Sequence, residues 1–221
     1  MSNKNERCTP VYYSLKEEIL SAVCHGAGAV FGLYALIHMV TLSARLGDAW
    51  AVVASAIYGA SLIILYTIST LSHALTNRAA KKVFRILDHA TIFLLIAGTY
   101  TPVTLITLNG GWGWAIFGLQ WGLATLGIVM GSIFLNRFKK FSYIIYLLMG
   151  WAIIIAAYPL LQAMEPAGLI YMLGGGIFYS AGIILYRLRG AYTHFLMHLF
   201  TLIGSLLQFV SIIQYVLPMT F

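Results

Sequence analysis

The sequence predicts an all-α integral membrane bundle of seven transmembrane helices, with the amino terminus cytoplasmic and the carboxyl terminus outside. Three observations predict it. Of 221 residues, 61% are apolar and only 9% charged, where soluble domains run at about 45–50% and about 25%. The apolar residues fall in long runs free of Asp, Glu, Lys and Arg, and the basic residues collect between alternate runs. A mean hydropathy of +0.88 excludes a soluble domain and a disordered chain. It also excludes a nucleic-acid partner despite the net charge of +7; the expected partners are membrane lipids, and the sequence leaves the oligomeric state open.

Crossing the hydrocarbon layer takes about 20 apolar residues. Residues 1–18 are polar and carry Lys4, Glu6, Arg7, Lys16, Glu17 and Glu18, so a cytoplasmic arm is expected, without a cleavable signal peptide. A single transmembrane domain follows over 19–217. Its uncharged stretches are Ile19–Ala44, Ala49–Asn77, Ala90–Asn136, Phe141–Met164, Pro166–Tyr186 and Gly190–Phe221. The third is long enough for two spans, and Asn109-Gly110-Gly111 supplies the turn that divides it. The total is seven, with loops too short for any soluble domain.

Lys4, Arg7 and Lys16 precede span one. Arg78, Lys81, Lys82 and Arg85 follow span two, Arg137, Lys139 and Lys140 follow span four, and Arg187 and Arg189 follow span six. That places 12 basic residues on one side against Arg45 alone on the other. Loops rich in Lys and Arg stay cytoplasmic, which gives the orientation of a multi-pass membrane protein. Tyr12, Tyr13, Tyr143 and Tyr192 then belong to the inner aromatic belt, and Trp50, Trp112 and Trp114 to the outer one. Cys8 and Cys24 cannot make a disulfide framework. Gly174-Gly175-Gly176 reads as a close helix approach, and Pro102 and Pro159 as architectural kinks.

Ionisable groups inside spans are costly and mark function. His73 lies five residues before Arg78 and His194 five after Arg189. At 1.5 Å per residue both sit roughly 7–8 Å from the basic boundary. Asp88 is three residues past Arg85, and His198 is one turn deeper than His194. Spans two, three and seven thus deliver three histidines and one carboxylate to one layer just inside the cytoplasmic leaflet. His194 and His198, at i and i+4, leave the same helix face, a spacing that suits two ligands of one metal as well as a packing pair. The intervening residues lack the glutamate of a soluble zincin. Three imidazoles with an open fourth position describe a catalytic Zn2+ site, and an all-histidine set suits iron or manganese less. Asp88 could be a fourth ligand, a hydrogen-bond partner of the metal's water, or simply a carboxylate favoured at a helix start. Ser69, one turn before His73, ordinarily back-bonds to its own helix. His89 is turned about 100° away from Asp88, and His38 lies in the outer half of span one. His25, on roughly the face of Glu17 and Glu18, could support the site, pair with one of them, or ligate.

The blocks Glu17-Glu18…His25-Gly26, Ser69-Thr70-Leu71-Ser72-His73, Leu87-Asp88-His89 with Ala97-Gly98-Thr99-Tyr100-Thr101-Pro102, and His194…His198 occur in this order. Together they resemble the bacterial hemolysin III branch of the progestin and adiponectin receptor family, from about Ser14 to the last helix, which implies a multi-pass protein of the bacterial inner (plasma) membrane. The resemblance implies seven helices, a cytoplasmic amino terminus and a zinc ion near the inner leaflet. It also implies His73, His194 and His198 as ligands, Asp88 reaching the metal through water, and Ser69 nearby. Cys24 stands where related sequences often have Ser.

Two functions compete. One is a ceramidase-like zinc hydrolase of a lipid amide or ester, with Asp88 and Ser69 as catalytic residues. The other is a membrane-homeostasis regulator or receptor-like protein with a structural zinc. A cytolysin fits poorly with seven hydrophobic spans and no expected signal peptide, and a transporter with no internal repeat and ionisable groups at one face only.

Overall fold

The computed structural model describes residues 14–133, 135–188 and 190–219, the side chains of 135–140 excepted. Among the described residues there is no strand, and seven helices are long and apolar enough to cross a membrane. Lys4, Arg7, Cys8, Tyr12, Tyr13, Arg189 and Phe221 lie outside the described residues, as do the side chains of Arg137, Lys139 and Lys140.

The first span, α1 (Leu15–Leu46), begins four residues earlier than the hydropathy suggests. Ser14 and Glu17 form a reciprocal capping box, which satisfies backbone donors that would otherwise be orphaned and draws the charged residues into the helix. Gly47, at φ 79°, ends α1 in the left-handed conformation. Asp48 then caps α2 (Ala49–Ala74) by accepting from the N–H groups of Trp50 and Ala51. Asn77 caps α3 (Arg78–Pro102) in the same way. This helix starts twelve residues ahead of the uncharged stretch, so Arg78, Lys81, Lys82 and Arg85 form its first turns rather than a loop.

The remaining elements are α4 (Gly110–Ile133), α5 (Leu135–Trp151), α6 (Ala157–Ala163), α7 (Pro166–Arg187) and α8 (Thr193–Ser211). The outer surface presents Val30, Ile37, Ile144, Ile170 and Ile184 well exposed, as a lipid-facing belt requires. From Ala97 to Leu105, by contrast, α3 and its continuation are buried without interruption, so α3 is the enclosed helix. Helix α1 packs on α2 and α8, α7 on α8, and α3 on α2 and α4, and α5, which touches both α4 and α7, closes the ring. Gly59 lets α2 approach α1 closely: a Cβ there would stand 2.7 Å from Leu36 Cα.

Both prolines sit at departures from regular helix. After Pro102 the chain widens into a π-helical turn, Val103–Thr107. Before Pro159 span five tightens into a 3₁₀ segment, Ala152–Ala156, between α5 and α6. A proline ring cannot coexist with the carbonyl four residues back, here Ile155, inside a regular α-helix. The backbone groups released by the break find side chains. The Ile153 N–H donates to Tyr100 Oη at 3.0 Å, which itself donates to the Gly150 carbonyl at 2.7 Å. Gln120 Nε2 donates to the Met149 carbonyl at 2.8 Å. In a bilayer each such group left unpaired would cost several kcal/mol.

Candidate metal centre

One end of the bundle collects the ionisable residues. Trp50 and Trp114 touch at the other end, ring centroids 5.6 Å apart. Trp50 and His73 lie at opposite ends of α2, roughly 35 Å apart at 1.5 Å per residue.

His73, at the last turn of α2, meets His194 and His198 from the first turns of α8. Their Nε2 atoms lie 3.3 Å (His194–His73), 3.0 Å (His198–His73) and 3.0 Å (His198–His194) apart. All three residues are buried, at 7%, 8% and 2% exposure. Three imidazole nitrogens aimed at a common point in an apolar interior suit a shared cation, since lone pairs crowded together repel one another. Ligands at about 2.0–2.1 Å from a tetrahedral ion would stand about 3.3 Å apart. The donor set and spacing fit a zinc ion. No other His, Cys, Asp or Glu joins this cluster among the described residues.

The rings are held from behind. His73 Nδ1 lies 2.8 Å from Glu18 Oε2, and Glu18 also meets Lys81 Nζ at 3.0 Å and Arg85 Nη2 at 3.4 Å. Lys81 Nζ in addition donates to the His73 carbonyl at the end of α2. Glu17 Oε1 accepts from the backbone N–H of Tyr192, just before α8, at 2.7 Å. The expected alternative of His25 pairing with Glu17 or Glu18 is not realised, because those carboxylates serve His73 and Tyr192.

Deeper along the same seam, phenols of α2 and α7 join those helices to α8. Tyr66 Oη donates to Ser205 Oγ at 2.7 Å, Tyr58 Oη to the Ser205 carbonyl at 3.3 Å, and Tyr179 Oη meets Ser205 Oγ at 2.8 Å. Gly175 and Gly204 let α7 and α8 close on each other: a Cβ at 204 would lie 3.1 Å from the Gly175 carbonyl oxygen.

On the opposite side of His194 and His198 the bundle opens into a cavity of about 140 Å³. One water occupies about 10–15 Å³ on this measure, so the space holds far more. Asp88, His89, His25, His194 and His198 line its polar end, and Ile96, Leu147, Trp151, Ile183 and Gln208 lie among its walls. Fourteen residues of α8 separate His194 from Gln208, so the cavity runs roughly 21 Å along the bundle.

The structure therefore brings Asp88 to the cavity beside the histidine cluster, but not into the cluster. His89 lines the same cavity, where its rotation from Asp88 suggested that it would face elsewhere. His25 is 2% exposed, lies edge-on to His198 at 4.1 Å between ring centroids, and has no hydrogen-bond partner on either ring nitrogen. His38 is remote and stacks on Tyr34. Ser69 is fully buried, does not back-bond and has no partner for its hydroxyl; it is not on the cavity wall. Sequence reasoning missed the part played by Glu18, although Ser14-Leu15-Lys16-Glu17 carries the capping-box spacing that places Glu18 inside a helix rather than in an arm.

The profile of the "Haemolysin-III related" proteins matches residues 13–209. The chain is 43% identical to "Hemolysin-3" of Bacillus cereus over 214 residues, covering 96% of this chain and 98% of that protein. It is 39% identical over 210 residues to the "Hemolysin-3 homolog" of Bacillus subtilis (strain 168), with 95% and 99% covered. A more distant likeness, 26% over 191 residues, extends to the human "Monocyte to macrophage differentiation factor", covering 82% of this chain and 76% of that protein.

Proposed function

The chain belongs to the haemolysin-III related family of multi-pass membrane proteins, and from that premise we propose that it is a zinc-dependent hydrolase of a lipid amide or ester. The observation that carries this reading is the cavity that meets the histidine cluster on one side only. A staple needs its ligands and nothing more, and α2 and α8 are already joined by Tyr58 and Tyr66. A long apolar space ending at His194, His198 and Asp88 is what an acyl chain with its polar linkage at one end would fill.

His73, His194 and His198 are the residues that would hold the ion. A zinc ion there would polarise a carbonyl and acidify water towards a pKa of about 7. Asp88, on the same wall, takes the proton of the attacking water at its carboxylate and returns it to the leaving amine or alkoxide. The apolar walls exclude bulk water around the linkage and orient the chain. Ser69 would serve as a hydrogen-bond donor to the oxyanion. That role needs its hydroxyl to reach the cavity, so Ser69→Ala is expected to cost less activity than Asp88→Asn. The basic residues around Glu18 support a site in the cytoplasmic leaflet of the plasma membrane, since segments rich in Lys and Arg stay cytoplasmic. A reporter fused to the carboxyl terminus should accordingly be active only when it is one that works outside the cell.

The test is hydrolysis of ceramide-like and acyl-ester lipids by the purified protein in detergent, beside Asp88→Asn. That variant should keep its metal and lose about 10²–10⁴ in rate, the usual worth of a general base. A wild-type protein that cleaves none of these lipids, with Asp88→Asn complementing a deletion strain fully, would leave the membrane regulator with a structural zinc as the function.

A further inference from the structure

The hydrolase reading gives no task to the two carboxylates that open α1, yet each reaches across the bundle. Glu18 lies 55 positions from His73 and 67 from Arg85, and Glu17 lies 175 from Tyr192. Two consecutive residues therefore hold the ends of all three helices that bear the histidine cluster and Asp88. Glu18 is 9% exposed and points inward to His73, although Lys81 and Arg85 alone would suffice as partners at the surface. The 2.8 Å contact to Nδ1 has a chemical consequence. A carboxylate only accepts, so the proton of the neutral ring must reside on Nδ1, and the lone pair is fixed on Nε2, which faces His194 and His198. Glu17 does the corresponding work at α8. Tyr192 holds φ at 61°, an uncommon conformation for a tyrosine. Its N–H, which enters no helical hydrogen bond, is taken by Glu17 at 2.7 Å, two residues before His194.

We propose that Glu18 is the positioning residue of the metal centre, fixing the tautomer and direction of the His73 ring, with Glu17 setting the start of α8 from the neighbouring position. The inference rests on the histidine cluster being a metal site, not on any hydrolytic activity.

The experiment measures zinc affinity by chelator competition on the detergent-purified full chain. It also records the visible spectrum of the cobalt-substituted protein, whose intensity reports ligand geometry. Glu18→Gln keeps the shape but presents an amide to Nδ1, and should weaken metal binding about 10–100-fold, the usual cost of losing such a support, with a changed cobalt spectrum. Glu17→Gln, which leaves the His73 contact in place, should weaken it less. Lys81→Met removes the ion pair to Glu18 and the bond to the His73 carbonyl while leaving the Nδ1 contact in place, and should weaken binding less than Glu18→Gln does. Should Glu18→Gln not be recovered folded, Glu18→Asp answers in its place: the shorter carboxylate keeps the charge, withdraws from Nδ1, and should also lower affinity. Unchanged affinity and spectrum in the Glu18 variant overturn the inference. So does an equal loss in Lys81→Met, which would put the effect in the ion pairs and not in the ring contact. A wild-type protein that binds no zinc overturns the metal centre itself.

Discussion

The two sides of the histidine layer are built on opposite plans. On the side of α1, α2 and the first turns of α3 and α8, polar groups interlock: Glu17 with Tyr192, Glu18 with His73, Lys81 and Arg85, and, deeper, Tyr58 and Tyr66 with Ser205. On the side of α3, α5 and α7 a cavity replaces the interlock, and His25 faces it with both ring nitrogens unpaired. A ligand set is only as definite as the contacts behind it, whereas a binding space must be left unfilled. The difference teaches that one layer of the bundle can be interlocked on one side of the histidines and open on the other, even though α3 and α8 take part in both.

The comparison can be broken first at the cluster. His194→Ala/His198→Ala should abolish metal binding, whereas wild type should carry about one zinc per chain by elemental analysis; full retention of zinc would remove the rigid side's purpose. Next in size is metal removal. An ion that binds the folded state alone at a thousandfold excess over its dissociation constant contributes about 4 kcal/mol. Chelation should thus lower the thermal midpoint in detergent, and metal loss without a shift would contradict a rigid side built around the ion. A smaller effect tests the phenols: Tyr66→Phe removes the Ser205 contact and should cost about 0.6–1.7 kcal/mol, the range for hydrogen bonds between membrane helices. The smallest effect on stability belongs to the open side. Gly176 lines the cavity, and a Cβ there meets nothing nearer than Trp151 at 4.0 Å. Gly176→Leu should therefore keep the midpoint and the zinc while obstructing lipid hydrolysis. A large loss of stability would show that the open side is packed after all.

The seven spans were legible because hydropathy and basic loops are properties of the chain taken locally. The shared depth of His73, His194 and His198 was legible for a related reason: helix rise converts sequence distance from a charged boundary into depth. What could not be read was azimuth. Whether Glu18 faces His73 or His25 depends on how α1 is rotated against α2, and that is set by packing such as Gly59 on Leu36. The same holds for His89, which lines the cavity together with Asp88 although the two are adjacent in α3. Local periodicity likewise gave Pro159 as a kink without revealing that Tyr100 and Gln120, from two other helices, would supply the missing backbone partners.

That splice in span five has a mechanical consequence. A continuous α-helix is a stiff rod that passes bending from one end to the other, whereas a 3₁₀ segment held by foreign side chains is a joint. Ile154, Ile155, Tyr158 and Leu161, beyond the start of the joint, are more than half exposed and take the lateral pressure of the surrounding lipid. Tyr100 ties the joint to α3, the most enclosed helix, so load entering there is grounded in the middle of the bundle. Bending of α6 under changes in bilayer thickness or tension is then expected to be taken up at the joint rather than passed along α5 to the histidine layer.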